Sequence, residues 1–160
     1  MAMDPNAKKT VLRLIPYGLF VATSRAGDSV GAGTINWVTQ ASFEPPLVVV
    51  GIKAGSALHE VISASRAFAL NVVGKAQKDL AVKFFKGAQP EGETLNGYRY
   101  ENGSTGAPLL LDAPAWFECR VVDEVRGGDH TIFVGEVIDA GSRRQEESLT
   151  LRESGFSYGG

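Results

Sequence analysis

Residues 31–52 read GAGTINWVTQASFEPPLVVVGI, and the two halves of this stretch have opposite chemistry. The first half carries small and hydrogen-bonding residues at Gly31, Gly33, Thr34, Asn36, Thr39, Gln40 and Ser42, and the second passes through Pro45-Pro46 into the apolar run Leu47 to Val50. Glycines admit a flat or anionic group close to the backbone, while Thr, Asn, Gln and Ser supply neutral donors and acceptors suited to the edge of a heteroatom-rich ring. Pro45-Pro46 fixes an extended approach to a strand that is apolar at consecutive positions, the pattern of deep burial.

Working outward, Leu14 to Thr23 and Val30 to Asn36 read as two strands around a turn at Gly27-Asp28, and Leu47 to Ile52 as a third. Trp37 to Glu44 between them is expected to be irregular. Leu58, Val61 and Ile62 recur at helical spacing after Ser56, a suitable N-cap. Ala67 to Val73 returns to strand, and Gln77 to Phe85 predicts a second short helix ending near Gly87. Gly87 to Gly106 turns to Gly, Glu, Asn, Gln and Thr, which predicts a long surface excursion with a short strand at Tyr98 to Tyr100. Trp116 to Val125 and Thr131 to Ala140 are long strands joined by the turn Arg126-Gly127-Gly128-Asp129. Leu149 to Leu151 is expected to add an edge strand.

The 160 residues suit one domain, residues 1–160, with a frayed leader over 1–9 and a C-terminal loop and tail over 141–160. A net charge of −2 gives no electrostatic footprint for nucleic acid or an anionic membrane. No apolar run reaches the roughly 20 residues of a spanning helix, and Arg13, Pro16 and Tyr17 interrupt the signal-like start, so the protein is expected to be cytoplasmic. The lone Cys119 excludes an internal disulfide, and two histidines exclude a multi-histidine metal site within one chain. Gly31-x-Gly33 is followed by Asn36 where a dinucleotide fingerprint needs a third glycine, and the phosphate-loop, zincin and nucleophile-elbow patterns are absent. With so little acid–base machinery, redox work would fall to an organic cofactor.

The segment GxxxGAGTINWVTQASFEPPLVVVGIK, taken with PYGLFVATS upstream and GDHTIFVGEV downstream, resembles the flavin reductase-like family of FMN-binding split barrels from about Pro16 to Ala140. The resemblance implies a mainly β fold: a small antiparallel split β-barrel of six or seven strands in Greek-key order with two or three short peripheral helices. It implies FMN as cofactor, with FAD possible, and NADH or NADPH as reductant. Thr34, Asn36, Trp37, Thr39 and Ser42 are implied as contacts to the flavin ring or ribityl chain. Lys53 and Ser56 would hold the phosphate, where a strand ends and a helix N-terminus begins. The family pattern there is approximately Lys-x-Ser-x-Thr; in this chain Lys53 and Ser56 lie one residue further apart, and Ala57 and Leu58 replace the threonine. His130 matches the family's GDH motif and is implied as the catalytic residue facing the nicotinamide. Asp129 reads as a turn residue, His59 as a surface or interface residue, and Cys119 as a buried small hydrophobe.

The resemblance implies an oxidoreductase passing electrons from NAD(P)H through bound flavin to free flavin, ferric iron, or a separate electron-transfer or monooxygenase protein. It also implies a homodimer with flavin at the interface. Two alternatives stay open at this point: an FMN-bearing electron carrier that does not use NAD(P)H, and a flavin or haem binder without turnover.

Overall fold

The computed structural model describes residues 2–160. The elements in order are α1 (Pro5–Leu12), β1 (Phe20–Ala26), β2 (Ser29–Ile35), β3 (Val38–Ser42), β4 (Leu47–Lys53), α2 (Ala57–Ser65), β5 (Ala67–Val72), α3 (Lys78–Lys83), β6 (Pro90–Glu91), β7 (Thr94–Leu95), β8 (Tyr98–Asn102), β9 (Pro108–Leu110), β10 (Ala115–Val125), β11 (His130–Ser142) and α4 (Leu151–Ser154). Seven strands form an antiparallel sheet in the order β2-β1-β5-β10-β11-β4-β3, and four short ones form a second sheet, β6-β7-β8-β9.

The large sheet has β2 at one edge and β3 at the other, yet only Asn36 and Trp37 join them. Six inter-strand spacings of about 4.8 Å would set the edges of a flat sheet roughly 29 Å apart. Three Cα steps from Ile35 to Val38 reach at most about 11 Å. The sheet therefore curls until its edges nearly meet, which gives a barrel with a seam at Asn36-Trp37. Inside it, Val48, Val50, Ile52, Phe68, Leu70, Cys119 and Phe133 form a buried core with Leu58 and Ile62 of α2. A second cluster, including Leu19, Val21, Val73, Leu80, Phe84, Leu95 and Leu110, packs α3 and the small sheet against the other face. Val21 and Ala22 are adjacent and enter different clusters, as successive residues of a strand must.

Buried polar groups fasten the second sheet. Asn71 donates to the Val21 carbonyl at 3.0 Å and accepts from the Leu110 amide at 2.8 Å, while Thr23 Oγ1 donates to the Pro108 carbonyl at 2.6 Å. Glu118, fully buried, accepts from the amides of Ser104 and Thr105, both at 2.9 Å, and from Thr105 Oγ1 at 2.6 Å. Cys119 is buried, and that burial, with the neighbouring Glu118 charge, pushes its thiol up to about 12.

The structure departs from the sequence reading at several elements. The described leader is helical, because Asp4 caps α1 by accepting from the Asn6 amide and Pro5 occupies the first turn. The first strand begins at Phe20, since Gly18 makes only an isolated bridge to Thr150. The irregular segment after Trp37 contains a strand, β3, paired with β4. The excursion after Gly87 contains the expected strand at Tyr98, which runs on to Asn102 as β8, and adds β6 and β7, with Asn96-Gly97 (φ 53° and 84°) turning β7 into β8. Thr150 caps α4 in a reciprocal arrangement with Glu153 instead of extending an edge strand. Eleven strands and four helices thus stand among the described residues, more than the six or seven strands and two or three helices expected, although the large sheet itself has seven strands.

Gly135 sits where a Cβ would lie 2.6 Å from Cys119 Cβ and 2.8 Å from Phe68 Cζ, inside the core. Gly135→Ala is expected to destabilise the protein by about 1–3 kcal/mol through overpacking. Urea unfolding should show a lower midpoint at unchanged slope; an unshifted midpoint would mean that the core yields at this point.

Candidate functional site

The seam of the barrel opens into a cleft of about 380 Å³. One wall is Ala32 to Ile35 of β2, continuing through Asn36 and Trp37. The other is Gly51 to Lys53 of β4 with Ser56 to Leu58 at the start of α2, and Phe84 to Gly87, His130 and Tyr158 complete the rim. Six of the eight residues expected from sequence meet here: Thr34, Asn36, Trp37, Lys53, Ser56 and His130. Thr39 and Ser42 do not line it. They lie on β3 beyond the seam, paired with Val49 and Leu47, and the exposed Thr39 hydroxyl donates to the Gln40 carbonyl.

At the helix end, Ser56 caps α2 by accepting from the His59 amide at 3.1 Å, and its hydroxyl donates to the Lys53 carbonyl at 2.8 Å. The first intrahelical bond is made by the Glu60 amide to Ser56. The Ala57 and Leu58 amides precede it and face no intrahelical acceptor, so they and the exposed Lys53 present positive potential to the cleft. Gly31 allows this geometry: a Cβ there would lie 3.0 Å from Leu58 Cα and 3.0 Å from Val61 Cβ. The close approach expected of a ligand at Gly31 is therefore made by the protein's own helix.

Thr34 Oγ1 donates to the Ala81 carbonyl at 2.6 Å and its amide to Phe84, which fixes the end of α3 beside the cleft. Asn36 is buried and donates through Nδ2 to the Tyr158 carbonyl at 3.3 Å. The Trp37 ring lies over Gly51, whose hypothetical Cβ would be 3.1 Å from Cε3. Its centroid is 4.5 Å from His130 and 5.2 Å from Tyr158. Trp37 Nε1 is buried and has no hydrogen-bond partner among the described residues, an orphan donor at a cleft.

His130 is flanked on both ring nitrogens. Nδ1 lies 2.9 Å from Asp129 Oδ1, and Nε2 lies 2.5 Å from Tyr158 Oη. The hydrogen bond and charge of His130, with a smaller contribution from Lys53, hold the Asp129 carboxyl below its usual range. Burial, then the Asp129 charge, raises the Tyr158 phenol above its usual value. Asp129 is thus more than a turn residue. His59 is buried, not at the surface, because α2 turns this side toward the barrel, where Nε2 meets Thr131 Oγ1 at 2.7 Å and the ring packs 5.6 Å from Phe133.

The residues that sequence reading missed are Tyr158 and the segment Phe84 to Gly87. Tyr158 lies in SGFSYGG, a run with no period, and only its aromatic ring between small residues could have drawn notice. Among the described residues no group of three or more His, Cys, Asp or Glu is placed to hold a metal ion, and no helix is long and apolar enough to cross a membrane.

A cleft with a cationic helix end, a neutral hydrogen-bonding wall and an aromatic rim, set in the seam of a split barrel, has the features suited to a planar, phosphate-bearing ligand. The sequence profile of the flavin reductase like domain matches residues 12–160, and the chain belongs to that family. The structure resembles the NADH:FAD oxidoreductase SgcE6 of Streptomyces globisporus with a TM-score of 0.79 and 30% identity, covering 94% of this chain and 92% of that one. It also resembles the styrene monooxygenase flavin reductase of Pseudomonas putida S12, with a TM-score of 0.72 and 30% identity over 86% of this chain and 87% of that one. The NADH-dependent FMN reductase AsuE2 of Streptomyces nodosus subsp. asukaensis is 35% identical over 133 residues, 81% of this chain and 70% of that protein. Three other curated relatives are longer, and the matched region spans 26%, 57% and 48% of their lengths.

Proposed function

We propose that the chain is an NAD(P)H-dependent flavin reductase that moves electrons from NADH or NADPH through bound FMN, or FAD, to free flavin, ferric iron or a separate electron-transfer or monooxygenase partner. The observation that carries the reading is the convergence, in one cleft, of the α2 N-terminus, Lys53 and the Trp37–His130 pair, with Lys53 the partner of His130 across the β4–β11 ladder. The relatives named for NADH-dependent reduction of FAD and FMN, and the one named as a monooxygenase's flavin reductase, support it.

A flavin seated here would supply the hydride-accepting chemistry. The chain's own part is to bind and orient. Lys53 and the Ala57 and Leu58 amides are arranged for a phosphate. Asn36 and the orphan Trp37 Nε1–H offer polar contacts along the seam. His130 stands at the rim beside Trp37, where an incoming nicotinamide would arrive. Thr39 and Ser42 have no assigned contact, since both lie outside the cleft.

A homodimer is part of the same proposal. Phe43 is 89% exposed, and α1 buries none of its residues while Val11, Leu14 and Ile15 stand open, so apolar surface is left that a second copy would cover. Sedimentation of flavin-loaded protein is expected to give a dimer; a flavin-loaded 17.0 kDa monomer would remove this part.

The phosphate assignment is tested by Lys53→Met, which keeps the stem and removes the charge. One charge-assisted hydrogen bond contributes roughly 1.5–3 kcal/mol, so FMN affinity should fall about tenfold or more. Riboflavin affinity should change far less, and equal losses would place the phosphate elsewhere. The reductase reading is tested in stopped flow. Wild-type protein should be reduced by NADH or NADPH, and His130→Ala should slow that step by about ten- to a hundredfold, since a misplacement of ~1 Å can have such an effect. Reduction by dithionite should be unaltered. Protein that accepts electrons from dithionite but from neither nucleotide is a carrier and not a reductase.

A further inference from the structure

Both nitrogens of His130 are already engaged by its own chain, one by Asp129 and one by Tyr158. An imidazole in that state has no free donor or acceptor for a nucleotide. The exposed Asp129 carboxylate can only accept, and Nδ1 carries the proton that it receives. In the neutral ring Nε2 is then an acceptor, and the Tyr158 hydroxyl, held protonated by its raised pKa, donates to it. The phenol oxygen keeps lone pairs free.

The place of Tyr158 is fixed independently. Its carbonyl accepts from Asn36 Nδ2 at 3.3 Å, the next carbonyl, Gly159, accepts from Arg13 Nε at 3.1 Å, and its ring packs 5.2 Å from Trp37. The ring is 45% exposed. It also borders two further cavities, of about 380 and 460 Å³, the first sharing Thr34, Asn36 and Phe85 with the cleft and neither lined by His130. Tyr158 is thus common to the cleft and to both neighbouring cavities, whereas His130 lines the cleft alone.

From this the geometry points to Tyr158 as the residue that contacts the nicotinamide, its hydroxyl oxygen accepting from the carboxamide NH₂, with His130 and Asp129 acting through it as positioning residues. The inference rests on the reading of the cleft as a pyridine-nucleotide site, and it shifts the specificity contact from the GDH motif to the C-terminal tail. It accounts for a tail that is tied to the barrel at Asn36 and to the end of α1 at Arg13 and brings one phenol to the seam.

The test uses flavin-loaded wild type, Tyr158→Phe, His130→Gln and the double variant. Titration with NAD⁺ reads binding, single-turnover mixing with NADH reads the electron step, and side-chain ¹⁵N NMR reads the His130 tautomer. Tyr158→Phe keeps the ring and its packing, and should weaken NAD⁺ binding about three- to tenfold, the equivalent of one neutral hydrogen bond. It should also shift the His130 Nε2 resonance. The double variant should lose no more than the larger single loss, because the two residues form one chain of contacts. Wild-type affinity in Tyr158→Phe, or additive losses in the double variant, would overturn the inference and leave the reductase reading in place. Wild-type protein that fails to bind NAD⁺ and ignores NADH and NADPH would overturn both.

Discussion

The two-residue link between β2 and β3 governs this molecule. Neighbours in sequence are placed at opposite edges of a seven-stranded sheet, and the backbone is too short to reach across unless the sheet rolls up. Rolling encloses the core of Val50, Phe68, Leu70 and Phe133, and leaves a seam where the ladder is not closed. Asn36 and Trp37 lie in that seam because they are the link. The cleft is therefore a consequence of closure, not a depression added to a finished surface.

What keeps the rolled sheet in register is close approach rather than extra bulk. Gly31 brings α2 onto β2, Gly51 lets the Trp37 ring lie on β4, and Gly135 makes room for Phe68 across the core. Each glycine sits where another group occupies the space of its missing side chain. The same approach of α2 sets its N-terminus beside Lys53, so that packing and positive potential at the cleft arise from one contact. On the outer face, Asn71, Thr23 and Glu118 convert buried polarity into fixed distances between the two sheets.

The strand buried on both faces was legible in the sequence at AFALNVV, because consecutive apolar residues leave few other structures; LVVVGI was legible as a strand, but only Val48, Val50 and Ile52, on one of its faces, are buried. Ser56 as a helix cap was legible for a similar local reason. The six residues that meet in the cleft came from the family resemblance, with the polar half of residues 31–52 agreeing. Thr39 and Ser42 lie outside the cleft because the fold turns at Trp37 and carries them to the far side of the link, a turn that a run of polar residues without a period does not announce. Asn96-Gly97 was a readable turn signal that the surrounding loop composition masked. His59 was misjudged since α2 is covered on a wider face than the spacing of Leu58, Val61 and Ile62 indicates. Tyr158 had no local signal. Its position depends on Arg13 and Asn36, more than a hundred residues away, each holding a carbonyl of the tail.

That long-range dependence explains how a chain with two histidines can build a directional site. Asp129 orients His130, His130 orients Tyr158, and Trp37 packs against both rings, so the rim is a sequence of mutual constraints in which no member needs a strongly shifted base. Chemistry supplied by a bound ring asks this of a protein: fixed geometry, a phosphate anchor at one end, and a polar atom of known orientation at the other. For the second requirement, the phosphate anchor proposed at the α2 end would use backbone amides, which cannot rotate away. On the inference drawn above, the third falls to the Tyr158 hydroxyl, which lies against His130 Nε2 at the rim of the cleft.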